Sequence, residues 1–273
     1  MTEMCRCCGQ VLGEYVFKAH IFDRLVSFFE CDRCGYVQTE EPDWLDIAYA
    51  SPINISDTGI LARNFSNVSL VLATLTTMKS KKSQVVDYAG GYGFLVRLLR
   101  DVGVDAFWAD LYSENLVARG FEYEGFGNPK LVTAFEAFEH FVSPAEELRN
   151  LLKISPNVLL TTTLVPKPTP KPQDWWYYGL EHGQHIGFFR VRTLHYLADK
   201  FNLHLLTDGK SYHFFSEKKY SYLTWNLFRK IARFAPKVLS YDLTNQWVTP
   251  GIIDIHSHCF FFAHINPYNL YYT

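Results

Sequence analysis

Four cysteines near the start of the chain are spaced to hold a metal ion. Cys5 and Cys8 form one C-x-x-C pair and Cys31 and Cys34 a second, each pair followed by glycine, with 22 residues between them. Two thiolates at this spacing bind one ion from a tight turn, and the glycine meets the turn's demand for positive φ. Two such turns complete a tetrahedral shell, and four protein ligands leave no open position. The expected ion is therefore a structural Zn2+. Cys7 is surplus to that shell and competes with Cys5 or Cys8, with spacing favouring the latter pair. Cys259 sits in an apolar segment and reads as core.

A second chemical motif runs from Val85 to Val96. An apolar strand ends in Asp87, and the small-residue turn Ala89-Gly90-Gly91-Tyr92-Gly93 opens a helix. Small residues let the backbone approach a ligand closely, and a helix N-terminus offers it unpaired N–H groups. A dinucleotide site of the G-x-G-x-x-G type needs its third glycine for close helix–strand packing. After Gly91-Tyr92-Gly93 that position holds the bulky Val96. An acid ending the first strand also suits a positively charged amino group better than a pyrophosphate. Both features favour S-adenosylmethionine over NAD. Asp110 ends the next apolar run, Phe107-Trp108-Ala109.

Two further segments bring titratable groups together. Glu136, Glu139 and His140 have an acid–x–x–acid–His spacing that permits a divalent ion, although a polar cluster shaping the substrate side is the preferred reading. Glu181-His182-Gly183-Gln184-His185 follows a loop holding Pro166, Pro168, Pro170 and Pro172 and the aromatic run Trp175-Trp176-Tyr177-Tyr178. A neutral histidine suits proton removal from an alcohol or carbon acceptor near pH 7. His185 is the first candidate base and His140 the second, with Glu139 beside it. The plainer alternative for His185 is a histidine capping the next helix. The aromatic run is either a wall that stacks on a sugar or base face or a hydrophobic plug.

The elements that must position these groups follow from hydrophobic period. Strands are expected at 84–88, 105–110, 131–135, 157–162, 203–207, 211–216 and 258–264, and helices at 57–78 (Asp57 as N-cap), 92–102, 144–153 and 191–201. Residues 15–17 and 25–30 supply strands for the cysteine module. The alternation argues for an α/β fold, a Rossmann-like, doubly wound, mostly parallel seven-stranded sheet with its last strand antiparallel, plus a small N-terminal zinc ribbon. The expected division is a ribbon at 1–40, a helical bridge at 41–83, and a main domain at 84–273 with a helical insertion at about 217–250. Within the insertion, 221–240 is amphipathic and basic, with Leu223, Leu227, Ile231, Phe234 and Val238 on its apolar stripe and Arg229, Lys230, Arg233 and Lys237 beside it. A lid or packing helix is expected there, with a dimer face or a peripheral membrane contact as alternatives.

Asp87 to Gly93 resembles the class I methyltransferase pattern D-x-G-x-G-x-G, with Ala89 at the first glycine. The segment from Thr133 to Pro144 is similar to one that follows the fourth strand in many of these enzymes. The resemblance implies that the backbone of Ala89, Gly90, Gly91 and Gly93 holds the methionine portion of S-adenosylmethionine. It also implies that Asp110, with Leu111 beside it, receives the ribose hydroxyls, and that Phe135 and Glu136 lie beside the cofactor. Ubiquinone-pathway O-methyltransferases and small-RNA 2′-O-methyltransferases hold a divalent ion on residues similar to Glu136, Glu139 and His140. The four-cysteine ribbon, with His185 just before Phe188-Phe189, is similar to a bacterial sugar-modifying subgroup in which that histidine lies at the active site. Gln184 stands where the subgroup often has glutamate. These likenesses cover most of residues 5–216 and imply methyl transfer to a sugar or glycan precursor.

Composition bounds the alternatives. The 273 residues carry a formal charge of −2, so no basic nucleic-acid footprint appears in bulk. An RNA methyltransferase using the ribbon as a grip and a non-catalytic module on a relic cofactor fold are the competing classes. The opening residues show no charged region followed by an apolar run, and no stretch reaches the ~18 apolar residues of a bilayer span. Five of six cysteines lie before residue 35, which reads as metal binding in a cytoplasmic chain.

Overall fold

The structure is a computed structural model and describes residues 3–50 and 58–234. In chain order the N-terminal part contains β1 (Phe17–Ile21), β2 (Arg24–Glu30), β3 (Val37–Thr39), α1 (Leu45–Ala48) and α2 (Ile60–Thr77). Then come β4 (Val85–Tyr88), α3 (Phe94–Asp101), β5 (Ala106–Ala109), β6 (Leu131–Phe135), α4 (Pro144–Ile154) and β7 (Asn157–Thr161). The chain continues through β8 (Gly187–Phe188), α5 (Val191–Lys200), β9 (His204–Thr207), β10 (Tyr212–Ser216) and α6 (Tyr222–Phe234).

Two sheets result. The larger has the order β5-β4-β6-β7-β10-β9 among the described residues. Its first four strands are parallel, and β10 runs antiparallel to both β7 and β9. The fold is thus α/β with a parallel-dominated sheet and one reversed strand. The seventh strand expected at 258–264 and Cys259 lie outside the described residues, as does Asp57; Gly59 occupies the cap position of α2.

Strand alternation distributes side chains to two cores. Val86, Val132, Val158, Leu160 and Phe215 face one core with Leu148 and Leu151 of α4 and Leu194 and Leu197 of α5. Val85, Leu131, Leu159 and Phe214 face the other, beneath α2, α3 and α6. Cys5, Cys7, Cys31, Cys34 and Tyr36 belong to the first core. The cysteine module is therefore packed against the main sheet's α4/α5 face.

The smaller sheet has the order β1-β2-β3-β8. Its fourth strand comes from the segment just after His185, with Val37 opposite Phe188 and Gln38 opposite Gly187. Gly187 is required there, because a Cβ would lie 1.7 Å from the Tyr36 hydroxyl.

Helix α6 packs against α2 with a face that matches the expected stripe only in part, Ile231 lying against the core. Trp225 and Ala232 are fully buried, whereas Leu223 is 79% and Leu227 55% exposed. The large indole wins the interior, and its Nε1–H donates to Thr74 Oγ1 of α2 at 3.0 Å. Trp225→Ala is expected to lower stability by about 3–5 kcal/mol, read as a lower denaturant midpoint. Among the described residues no helix is long and apolar enough to cross a membrane.

Candidate functional site

β4 carries Asp87 to the carboxyl edge of the sheet, and the backbone then turns sharply. φ is +57° at Ala89, +54° at Gly91 and +89° at Gly93. Ala89 holds a left-handed conformation that costs an L-residue about 1–2 kcal/mol. At Gly90 a Cβ would come within 2.7 Å of Trp108, and at Gly93 within 2.6 Å of Asn115 Oδ1. The turn is thus locked against β5 and the segment that follows it, and Trp108 Nε1–H donates to Gly91 O at 2.8 Å.

Asp110 completes this lock. Its Oδ2 accepts Gly91 N–H at 2.9 Å, while Oδ1 accepts the N–H groups of Tyr112 at 2.8 Å and Ser113 at 2.9 Å. Leu111 and Tyr112 project at the rim, 80% and 88% exposed. Asp87 is buried, and Thr133 Oγ1 donates to its Oδ1 at 2.7 Å. Burial lifts the Asp87 carboxyl to about 7; Thr133 opposes the rise and the charge of Asp110 adds to it. Strands β5 and β6 flank β4 on opposite sides, so this edge is the topological switch point where open α/β sheets bind ligands.

The second group of titratable residues lies at the same edge, just beyond β6. Phe135 ends that strand half-buried, and Glu136 adopts φ +49°. Thr161 Oγ1 donates to Glu136 Oε1 at 2.7 Å, and Glu136 N–H donates to the same hydroxyl at 3.0 Å. A short 3-10 turn, Phe138–His140, then presents Glu139 and His140. Glu139 is fully buried; Tyr177 O–H donates to its Oε1 at 2.6 Å, and its Oε2 has no hydrogen-bond partner among the described residues. Burial first, then the charge of Glu136, raises the Glu139 carboxyl to about 8, against the Tyr177 hydrogen bond.

His185 is brought to this cluster by the Gly183–Ile186 loop. Its ring centroid lies 4.8 Å from those of His140, His182 and Tyr177. Its Nδ1 lies 2.7 Å from the Tyr177 carbonyl. A carbonyl only accepts, so Nδ1 carries the proton and Nε2 keeps a free lone pair. Burial, then His140, pushes its pKa well below the usual value, so the ring is neutral at pH 7. Burial, then His182, brings His140 down to about 4. His140 Nδ1 lies 2.9 Å from the Tyr49 hydroxyl and 3.1 Å from Gln184 O. The ligand atoms of Glu139, His140 and His185 all lie within 4.8 Å of one another. Gln184 is turned away, its Nε2 donating to Ala48 O at 2.8 Å.

Tyr49 carries no sequence signal of a site, and Tyr177 carries one only as part of the aromatic run. Burial raises the Tyr49 hydroxyl pKa, and Glu139 and Tyr112 add to the rise. The aromatic run is mostly a plug. Trp175, Tyr177 and Tyr178 are buried, and Trp176 is 81% exposed.

The cysteines converge as spaced. Cys5 Sγ lies 3.6 Å from Cys34 Sγ, and Cys8 Sγ 3.5 Å from Cys31 Sγ. All four sulfurs lie within 4.8 Å of one another, and Cys7 is outside that group. Sulfurs on a tetrahedron of ~2.3 Å metal–sulfur arms stand about 3.8 Å apart, so the donor set fits one Zn2+.

No curated protein matches the chain. Among solved structures, human N-acetylserotonin methyltransferase in complex with SAM shares 12% identity over 56% of this chain and 52% of its own, with a TM-score of 0.40. Magnesium protoporphyrin IX methyltransferase from Synechocystis PCC 6803 with bound SAH shares 16% identity over 63% and 91%, at 0.43. An O-methyltransferase family protein from Burkholderia thailandensis shares 14% over 64% and 68%, also at 0.43. The chain thus spans about half the length of the first of these. The family model described as a methyltransferase domain matches residues 61–208, more than half of the sequence. That segment carries the glycine turn, Asp110, the Glu139–His140 turn and His185, and the chain belongs to the methyltransferase-domain family.

Proposed function

We propose that the protein transfers a methyl group from S-adenosylmethionine to a small-molecule acceptor, a sugar or glycan precursor. The observation that carries this reading is the Asp110 carboxylate seated on the Gly91 N–H at the switch point of the sheet. The backbone of Ala89, Gly90, Gly91 and Gly93 holds the methionine portion, Asp87 faces its ammonium group, and Asp110 receives the ribose hydroxyls. Leu111, Phe135 and Glu136 flank the bound nucleoside. The cofactor's sulfonium supplies an already activated methyl group. What falls to the chain is alignment of the acceptor and exclusion of water.

An alcohol or carbon acceptor must also lose a proton, and His185 Nε2 accepts it. Glu139 and His140 pack beside that base. The sugar assignment is supported by the combination of the cysteine module with a histidine just before Phe188-Phe189. Calorimetry with S-adenosylmethionine tests the cofactor, and absence of binding would move the chain to a non-catalytic class. A panel of nucleotide-linked sugars, screened for a cofactor-dependent mass gain of one methylene, tests the acceptor. Salt-sensitive RNA binding would favour an RNA substrate instead.

One observation favours a second use of the histidine cluster. The buried Glu139 Oε2 has no hydrogen-bond partner among the described residues, and Glu139 belongs to a trio that offers three ligand atoms. A divalent ion held there by Glu139, His140 and His185 would make turnover depend on added metal. Recovery by Mg2+ or Mn2+ after chelation would support it.

Cys5, Cys8, Cys31 and Cys34 hold a structural Zn2+. Burial places the Cys8 thiol at about 11, and its contact with Cys34, then burial, raises Cys5 well above the thiol range. A metal ion must displace those protons, so its binding should strengthen as pH rises. Elemental analysis is expected to find a single zinc per chain. Cys8→Ser with Cys31→Ser should abolish it and produce insoluble protein.

A further inference from the structure

Arg6 lies inside the first cysteine turn. Its backbone N–H donates to Gln38 Oε1 at 2.7 Å, and Gln38 Nε2 donates back to Met4 O at 3.1 Å. This exchange fixes the turn to β3. The guanidinium reaches further: Nη2 donates to Thr39 Oγ1 at 3.3 Å and also to the carbonyl of Ile186.

Ile186 is the residue after His185. Its carbonyl also takes Thr39 N–H at 3.1 Å, and its own N–H donates to Glu139 O at 2.9 Å. Two of these three attachments come from the cysteine module. The second cysteine turn grips the same segment from its far end. Thr193 Oγ1 donates to Cys34 O at 2.9 Å, and Arg192 Nε to Arg33 O at 2.9 Å. The stretch from Ile186 to Thr193 is therefore clamped between the two metal-binding turns.

The side chain is poorly chosen for stability alone. Arg6 Nε and Nη1 are buried without hydrogen-bond partners among the described residues. Unused donors on a buried cation cost free energy, and an apolar side chain of similar volume is often neutral or better. What a guanidinium adds is direction, because its planar fork fixes the acceptor's position.

We propose that Arg6 is a positioning residue for His185: carried on the first cysteine turn, it fixes the Ile186 carbonyl and so aims the His185 ring at the acceptor. Its effect on turnover rests on the reading of His185 as the base. The positioning itself does not.

The test uses full-length, zinc-loaded protein labelled with 15N-histidine, with the His185 signals assigned by their loss in His185→Ala. Arg6→Met is expected to shift those signals and to mix the fixed Nδ1–H tautomer with the other form. Zinc content and S-adenosylmethionine affinity, read by calorimetry, should stay within about twofold, since neither depends on the Ile186 carbonyl. Arg6→Lys, which keeps one donor and the charge, should restore part of the native spectrum. It also serves as the test variant if Arg6→Met does not fold, its expected result then being a smaller shift of the same signals. Native His185 signals in a folded variant that retains zinc would overturn the proposal.

With an acceptor from the nucleotide-sugar panel, kcat should fall about 10- to 100-fold at unchanged KM, the scale of an ångström's misplacement. In a His185→Ala background Arg6→Met should then cost nothing more. A further loss there would mean that Arg6 acts by another route. Full turnover in His185→Ala alone would instead remove the base reading and leave the spectroscopic result standing.

Discussion

His185→Ala is expected to bind S-adenosylmethionine within about twofold of the parent chain and to lose about 10^2- to 10^4-fold in kcat, the usual contribution of a positioned general base. The two halves of that expectation come from separate parts of the fold. The cofactor turn depends on Ala89–Gly93 and Asp110, which are tied to one another and to Trp108, Tyr112 and Ser113, whereas His185 is held by the Tyr177 carbonyl. Turnover depends on the Nε2 lone pair, which is free because the Tyr177 carbonyl takes the Nδ1 proton. His185→Gln separates chemistry from packing: it fills much of the same space but accepts no proton. Glutamine as inactive as alanine supports the base. Glutamine at full turnover would reduce His185 to a structural histidine that orders the next helix.

The sequence made the glycine turn and Asp110 readable and left most of the surroundings of the histidine cluster hidden, for reasons that lie in range. Strand β4, the glycine turn and Asp110 are close in sequence, and each announces itself by local pattern. The two-residue strand β8 does not, because its only reason to be extended is pairing with β3 some 150 residues earlier. For the same reason the cysteine module read as an appendage, although it shares a sheet with the His185 segment. Glu139 was legible as an acid near the site but not as a buried one, since acids are rarely buried without a charged partner. In α6 the regular spacing of Leu223 and Leu227 suggested an inward stripe. Periodicity counts positions and does not weigh volume, so it did not show that Trp225 would take the core.

The cofactor affinity itself is expected to depend on pH through Asp87. Burial holds this carboxyl at about 7, so near neutrality much of it is protonated. The ammonium group of S-adenosylmethionine favours the ionised form, and the two equilibria are linked. The sign follows directly. Below pH 7 a proton must leave before the cation binds, so affinity should rise about tenfold per pH unit as pH increases, each unit corresponding to about 1.4 kcal/mol. Above pH 7 the carboxylate is already formed, and the curve should flatten. Asp87→Asn keeps the shape and an acceptor for the Thr133 hydroxyl but carries no charge at any pH. Its binding curve should therefore be flat from pH 5.5 to 8 and, at pH 8, about 10- to 100-fold weaker than that of the parent chain, the worth of a buried charge-assisted contact. Calorimetry across that range reads both curves. Parallel slopes in the two proteins would show that some other group senses the proton and would take Asp87 out of ammonium recognition. A flat curve for the parent chain would mean that the ammonium lies beyond the reach of this carboxylate, leaving the glycine turn and Asp110 to hold the cofactor.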